Sequence, residues 1–258
     1  MTVTFIRGNG AIVIVAGPLA FKWFHGRGAP LMFAREKTGY ASAARSQVWG
    51  RILLPVTFSR FRLLVAPAAR QLPASDVGAL SRFATRLVRR SLEAGLRHPA
   101  SSLLPIDTLE WILSGDAPVY NRLRAAVESI ELPSGPTHGD LHRENFLCHD
   151  DSLRVIDLDR FRAEGCPLFD LLHFHLSEAQ RGSGRRWLDF ICERPDIVER
   201  STLGLVEPDA LFICYAAQRI AHEGQVASIR GRPGTKFVLQ AEHALLRLGE
   251  YRAGKAFS

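Results

Sequence analysis

The chain has 258 residues, of which 47% are hydrophobic, and its formal net charge is +7. This composition predicts a folded protein with a sizeable core, and the length allows one large domain or two small lobes. The longest apolar run, 11–24, is interrupted by Gly17 and Pro18. The sequence therefore predicts no membrane span and no signal peptide, and we expect a cytoplasmic protein that could still contact a membrane peripherally.

The positive charge comes mainly from arginines that are scattered along the chain without interleaved aromatic residues. Net charge without a docking motif is a weak argument for nucleic-acid binding, so we predict no nucleic-acid partner and a preference for anionic ligands. The four cysteines form no CxxC pair. They are therefore expected to be buried or free thiols rather than zinc ligands.

The first seventy residues have the pattern of a small β-rich region. Short β-branched runs predict strands at 2–6, 11–16 and 19–24, the first two joined by a turn at Asn9-Gly10. A helix is expected from Leu31 to about Leu53, and strand character returns at 56–65. The predicted order is three strands, one helix and one or two further strands.

Helical patterns dominate from Asp76 onward. The predicted helices are 76–96, 117–130, 168–180, 185–192, 207–223 and 235–253, and two short strands, 146–147 and 153–156, flank an acidic turn. The sequence therefore predicts an α+β fold of two lobes. A small β-rich N-lobe would span residues 1–70, and a larger, mainly helical C-lobe would span residues 71–258.

Three oxygen-bearing side chains, those of Asp140, Asn145 and Asp157, indicate the chemistry that this protein could perform. Asp140 follows a glycine, which can hold it in a fixed loop where a carboxylate could accept the proton of a hydroxyl. Asn145 and Asp157 offer the hard oxygen atoms that Mg²⁺ prefers, and the hairpin between them would bring them together. A carboxylate base beside two metal-binding side chains is typical of enzymes that catalyse phosphoryl transfer. Asp159 either assists the metal site or is a solvated turn residue.

This segment resembles the signature of the aminoglycoside phosphotransferase and choline kinase-like family, whose members are small-molecule relatives of protein kinases. The matching residues are His138-Gly139-Asp140-Leu141-His142-x-x-Asn145 followed by Ile156-Asp157. The resemblance implies that Asp140 is the catalytic base and that Asn145 and Asp157 bind magnesium. It also implies a protein-kinase-like fold and that Asp170 supports the catalytic loop.

The resemblance extends to the N-lobe. Lys22, the single charged residue of its strand, is similar to the family's lysine that holds the α- and β-phosphates of the nucleotide. Glu36 in the following helix is the natural partner of that lysine, although its charged neighbours also fit an ordinary solvated helix face. Gly8 and Gly10 are predicted to form the loop over the phosphates, and a plain hairpin turn explains them equally well.

By this resemblance the chain is an ATP- and Mg²⁺-dependent phosphotransferase that acts on a hydroxyl of a small molecule. The basic composition favours a sugar, a cell-envelope saccharide or an anionic acceptor over a polycationic aminoglycoside. The alternatives are a catalytically inactive, nucleotide-binding scaffold, an aminoglycoside-modifying enzyme and a protein kinase. Only twelve residues separate Asp157 from Asp170, too few for the activation loop of a protein kinase. The sequence does not indicate the oligomeric state.

Overall fold

The computed structural model describes residues 3–7, 10–73, 76–229 and 236–252. The chain divides into two compact units: unit 1 consists of Met1–Arg90 and Pro136–Ala163, and unit 2 of Ser91–Gly135 and Glu164–Ser258. The segment Pro136–Ala163, which carries the sequence motif, therefore belongs to the same unit as the N-terminal strands. The predicted division into an N-lobe of residues 1–70 and a C-lobe of residues 71–258 stays a prediction.

The helices and strands of the described residues follow in chain order. They are β1 (Val3–Arg7), β2 (Ala11–Ala16), β3 (Leu19–Phe24), α1 (Ala29–Arg45), β4 (Thr57–Ser59), β5 (Leu63–Pro67), β6 (Arg70–Gln71), α2 (Val77–Ser91), β7 (Arg97–Pro99), α3 (Ala100–Leu103), α4 (Ile106–Ile112), α5 (Ala117–Glu128), β8 (Glu131–Pro133), β9 (Gly135–Thr137), β10 (Phe146–His149), β11 (Ser152–Val155), β12 (Arg162–Gly165), α6 (Pro167–Gln180), α7 (Trp187–Glu193), α8 (Pro195–Ser201), α9 (Pro208–Ile229) and α10 (Lys236–Arg252). The predicted α+β class, β-rich at its start and helical toward its end, is confirmed.

The main sheet of unit 1 has five antiparallel strands in the order β1-β2-β3-β5-β4. Its β-branched and aromatic residues suit a pleated, half-buried surface. The middle strand is β3, which pairs with β2 on one side and with β5 on the other, so that Lys22 lies opposite Val13 and Leu64. The backbone of Lys22 is therefore held from both sides.

The predicted helix over 31–53 is wrong at its C-terminal end. Helix α1 ends at Arg45, and the next residue, Ser46, takes an extended conformation. The Ser46 hydroxyl accepts hydrogen bonds from the backbone N–H groups of Val48 and Trp49. A side chain that bonds local backbone in this way competes with helix continuation, and the chain passes into a short 3₁₀ turn, Gly50–Ile52.

The motif-bearing segment of unit 1 contains the predicted hairpin. Strand β10 pairs with β11 in antiparallel register from Phe146 opposite Val155 to His149 opposite Ser152, and also with β6. The turn residues Asp150 and Asp151 both have positive φ angles, 48° and 54°, which acidic residues tolerate better than most. The hairpin that returns the chain from Asn145 toward Asp157 is thus confirmed.

The helix α1 lies directly against the backbone that follows Asp157. A Cβ atom added to Gly39 would lie 1.7 Å from the carbonyl oxygen of Leu158, whose side chain is fully buried. Trp49 is also fully buried, and its indole N–H donates to the carbonyl of Pro136 at 3.1 Å. These contacts fix the helix and both ends of the motif within the core of unit 1.

Unit 2 is built from helices around the apolar helices α6 and α9, most of whose residues are buried. The short helices α3, α4 and α8 were missing from the sequence prediction, because segments of seven residues or fewer carry little periodicity. None of the helices in the described ranges is long and apolar enough to cross a membrane. The four cysteines are free thiols, and Cys166, Cys192 and Cys214 are buried.

Replacing Gly39 by alanine should destabilise the protein strongly, because the new methyl group would meet backbone that cannot rotate away. Overpacking of this kind costs about 3 kcal/mol in free energy of unfolding, which urea denaturation would measure. The matched control is Gly249→Ala in α10, where an added Cβ meets nothing within 4 Å. Alanine in an open helical position should be neutral or stabilise by up to about 1 kcal/mol. Equal stabilities of the two variants would contradict the packing described for α1.

Candidate active site

Lys22 lies between two carboxylates of unit 1. Its Nζ atom is 2.6 Å from Oε2 of Glu36 and 2.5 Å from Oδ1 of Asp157. The three residues come from β3, α1 and the segment after β11, so one ammonium group connects three separate elements. The ion pair predicted between Lys22 and Glu36 is present, and the structure adds Asp157 to it.

The three charges differ in their exposure to solvent. The side chain of Glu36 is 3% exposed, that of Lys22 19% and that of Asp157 43%. Burial raises the pKa of Glu36 to about 7, against the opposing effect of Lys22. Burial also acts to raise the pKa of Asp157, but the Lys22 ammonium outweighs it and holds that pKa below its usual range. Although burial disfavours the charged ammonium, the two carboxylates raise the pKa of Lys22 above its ordinary value.

Asp157 adopts a backbone conformation that is uncommon for a residue with a side chain. Its φ angle is 67°, in the left-handed region. Its side chain is held by the ion pair with Lys22. Strained residues persist where their surroundings hold them and often lie at functional sites. The left-handed conformation of Asp157 therefore supports its assignment as a candidate functional residue.

The loop that carries Asp140 packs backbone to backbone against the segment after Asp157. Gly139 has a φ angle of 84°, and a Cβ atom there would lie 2.5 Å from the carbonyl oxygen of Arg160. Glycine is required by both the conformation and the close approach. On the same side, a terminal nitrogen of Arg160 lies 3.2 Å from Oδ1 of Asp140, and both side chains are about one quarter exposed.

Arg160 is the residue of this site that the sequence interpretation missed. It is twenty positions from Asp140, and no helical or strand periodicity links them. The available signal was its place three residues after Asp157, in a segment expected to return toward the catalytic loop. The structure makes it the cation beside the predicted base.

Asn145 ties the loop to the strand that follows. Its side-chain N–H donates to the backbone carbonyl of Asp140 at 2.9 Å, and its backbone carbonyl accepts from the backbone N–H of Ile156 at 3.1 Å. Since the amide nitrogen is engaged, the oxygen Oδ1 is the end of the side chain that can face a cation. His138, fully buried, bonds through Nε2 to the carbonyl of Ile156 at 2.9 Å, and burial lowers its pKa.

The donor atoms of Asn145 and Asp157 suit magnesium. Both offer oxygen, the depressed pKa of Asp157 keeps its carboxylate charged at neutral pH, and its side chain is open to solvent. Within the described ranges there is no cluster of three or more His, Cys, Asp or Glu side chains that could hold a metal ion. Mg²⁺ commonly binds through one or two protein ligands together with water and substrate phosphates. The pair therefore fits a magnesium ion that is shared with a nucleotide.

The remaining predicted residues have mixed outcomes. Gly8 lies outside the described residues, whereas Gly10 precedes β2 with a φ angle of 91°, and its carbonyl accepts from the N–H of His25. Their role in a phosphate loop stays a prediction. Asp170 is 1% exposed in α6 of unit 2. Burial and the nearby Asp157 raise the pKa of Asp159. The role of Asp159 at the metal site and the support of the catalytic loop by Asp170 stay predictions.

Sequence comparison places the chain in a family. A model of the phosphotransferase enzyme family matches residues 59–201, more than half of the chain and all of the catalytic motif. The chain belongs to this family, and the predicted resemblance and enzyme class, a kinase-type phosphotransferase with an alcohol group as acceptor, are confirmed. No curated protein matches the chain significantly.

Solved structures agree in fold. The choline kinase LicA from Streptococcus pneumoniae has a TM-score of 0.61 and 16% identity over 97% of this chain and 94% of its own. A thermostable mutant of aminoglycoside phosphotransferase APH(4)-Ia, in ternary complex with ADP and hygromycin B, has a TM-score of 0.56 and 13% identity over 95% of this chain and 94% of its own. The amicoumacin kinase hAmiN, in complex with AMP-PNP and Ca²⁺, has a TM-score of 0.52 and 13% identity over 96% of this chain and 88% of its own. At these identities the likeness shows the protein-kinase-like fold alone.

The raised pKa of Glu36 predicts that stability depends on pH. A carboxyl group with a pKa of about 7 in the folded protein and 4.5 without its environment binds more protons when folded, so the free energy of unfolding falls as pH rises from 4.5 to about 7. The full shift corresponds to about 3 kcal/mol. Urea unfolding between pH 4.5 and 8 should therefore show the wild type losing stability relative to Glu36→Gln. Glu110→Gln, at an exposed position of α4, should follow the wild type; parallel curves for wild type and Glu36→Gln would refute the shift.

Proposed function

We propose that this protein is an ATP- and Mg²⁺-dependent phosphotransferase that transfers the γ-phosphoryl group to a hydroxyl of a small molecule. The observation that carries the proposal is the assembly of Asp140, Asn145, Asp157 and Lys22 within one compact unit. The nucleotides bound in related structures, ADP and AMP-PNP, support the choice of ATP. An inactive scaffold would not need this complete set of side chains.

Asp140 is the proposed base. Its carboxylate would accept a hydrogen bond from the acceptor hydroxyl and take the proton as the new oxygen–phosphorus bond forms and the bond to the ADP leaving group breaks. The side chain is one quarter exposed and lies in a loop fixed by Gly139 and by the bond from Asn145. A fixed, accessible carboxylate suits this positioning, which supplies much of the catalysis in phosphoryl transfer.

Lys22, Asn145 and Asp157 would hold the nucleotide. The Lys22 ammonium, anchored by Glu36, would contact the α- and β-phosphates and exchange part of its contact with Asp157 for them. Asn145 and Asp157 would hold the metal through their side-chain oxygen atoms. Bound magnesium would neutralise the phosphate oxygens on which charge develops.

Arg160 supports an acceptor that carries negative charge. A hydroxyl that reaches Oδ1 of Asp140 must approach a guanidinium only 3.2 Å from the same oxygen. A cationic acceptor would be repelled there, whereas an anionic group would be attracted. Once Asp140 takes the proton, Arg160 loses its anionic partner, and a carboxylate or phosphate on the acceptor would replace it. We infer that the acceptor is a sugar or a cell-envelope saccharide with an acidic group.

The substitution Asp140→Ala should lower kcat by about 10²–10⁴-fold, the usual contribution of a general base. Nucleotide affinity should stay within about twofold, because the substitution keeps the backbone carbonyl of Asp140, which accepts the hydrogen bond from Asn145. Acceptor-dependent ADP release with and without Mg²⁺ would measure the first quantity, and calorimetry with AMP-PNP the second. The matched control is Asp150→Asn in the acidic turn, whose side chain is 83% exposed. Full activity in Asp140→Ala would exclude the mechanism.

A panel of neutral, cationic and anionic hydroxyl compounds should show the highest kcat/KM for anionic acceptors. In Arg160→Gln that kcat/KM should fall by about tenfold or more, as for a lost charge-assisted contact. Activity on neutral acceptors should change less, since they make no ion pair. Preference for cationic aminoglycosides, or an equal loss on neutral and anionic acceptors, would contradict the proposed charge of the acceptor.

A further inference from the structure

The helix α2 has an unusual distribution of charge. Its fifteen residues include four arginines and no acidic residue or lysine. Arg82, Arg86, Arg89 and Arg90 are all exposed, at spacings of four, three and one. Positions three and four apart lie on the same face of a helix, so the four form one row, which we call the arginine stripe.

The opposite face of α2 is part of the core of unit 1. Leu80, Ala84, Leu87 and Val88 are each at most 5% exposed. Phe83 packs edge-on against Phe146, with ring centroids 5.8 Å apart. The apolar side of α2 is therefore occupied, and the charged groups that α2 exposes to an outside partner are these guanidinium groups.

No hydrogen bond, ion pair or ring contact involves these four arginines in the part of the chain that the structure describes. Other surface arginines are paired within their own segment, as Arg181 is with Glu178 and Arg186 with Asp189. Arg89 and Arg90 in the last turn favourably oppose the helix dipole. This explanation does not extend to Arg82 and Arg86, which add like-charge repulsion along the helix.

The stripe is connected to the catalytic loop within unit 1. Phe146, the ring on which Phe83 packs, directly follows Asn145. Arg143 donates from its guanidinium to the carbonyl of Leu72, just before α2, and β6 pairs with β10. A surface bound by the stripe would therefore be held in a fixed relation to the catalytic loop.

We propose that the arginine stripe docks unit 1 on an anionic lipid surface. The row extends over about 12 Å along the helix, which fits several headgroups of a planar surface better than one small ligand. The exposed neighbours, Gly78 and Ala79, keep that face free of bulky side chains. They also offer no amide for base edges and no aromatic ring for base stacking, which disfavours a nucleic-acid interface. Binding would be purely electrostatic, because the apolar face is buried in the protein.

Vesicle sedimentation with the full chain tests this proposal without using kinase activity, so its outcome is independent of the proposed function. The wild type should bind vesicles of phosphatidylcholine with 30% phosphatidylglycerol at low salt, but not vesicles of phosphatidylcholine alone. Binding should fall steeply by 0.5 M salt, where charges are screened over a few ångströms. The combined variant R82Q/R86Q/R89Q/R90Q should bind at least tenfold more weakly, since each arginine near such a surface contributes about fivefold.

A matched control removes the same charge elsewhere. R27Q/R45Q/R51Q/R124Q changes four exposed, scattered arginines and should retain vesicle affinity within about threefold, with unchanged circular dichroism for both variants. Absence of wild-type binding to anionic vesicles, or equal losses in the two variants, would overturn the proposal. So would tighter binding of the wild type to a 30-base-pair duplex DNA that the stripe variant abolishes, because the occupant would then be nucleic acid.

Discussion

The contact on which the rest of the site depends is the position of one ammonium group between two carboxylates. Lys22 reaches Glu36 at 2.6 Å and Asp157 at 2.5 Å, and thereby joins the middle strand of the sheet, the first helix and the segment proposed to bind the metal. A buried charge is costly unless it is paired and hydrogen-bonded. Because Glu36 is almost completely buried, each element constrains the position of the others. The end of the site that is proposed to bind phosphate would therefore be formed before a nucleotide binds.

A second constraint holds the catalytic end. Gly139 lies against the backbone of Arg160, Asn145 bonds to the carbonyl of Asp140, and Asp157 adopts a left-handed conformation. These contacts leave the loop little freedom, although its functional side chains remain partly exposed. Preorganisation of this kind is valuable in phosphoryl transfer, where orientation and electrostatics contribute more than covalent chemistry by the protein.

Arginines that contribute to the net charge of +7 lie at two defined places in the structure. Arg160 places one cation beside the proposed base, where it would influence which acceptor can approach. The arginine stripe of α2 places four cations on an exposed face, where long-range attraction to an anionic surface would operate. The two features would act on different scales: the first would select among small molecules, whereas the second would position the protein.

The sequence by itself determined the strands β2 and β3 to the residue, the hairpin after Asn145, and the family motif, because these depend on local periodicity, turn residues and fixed spacings. It also indicated Lys22, Glu36, Asp140, Asn145 and Asp157 as site residues. Only the tertiary structure decided that Asp157 shares Lys22 with Glu36 and that Arg160 pairs with Asp140, since these contacts join residues without any periodic relation. The structure also showed that α1 ends where the Ser46 hydroxyl bonds to local backbone, and that the arginines of the stripe have no partner among the described residues.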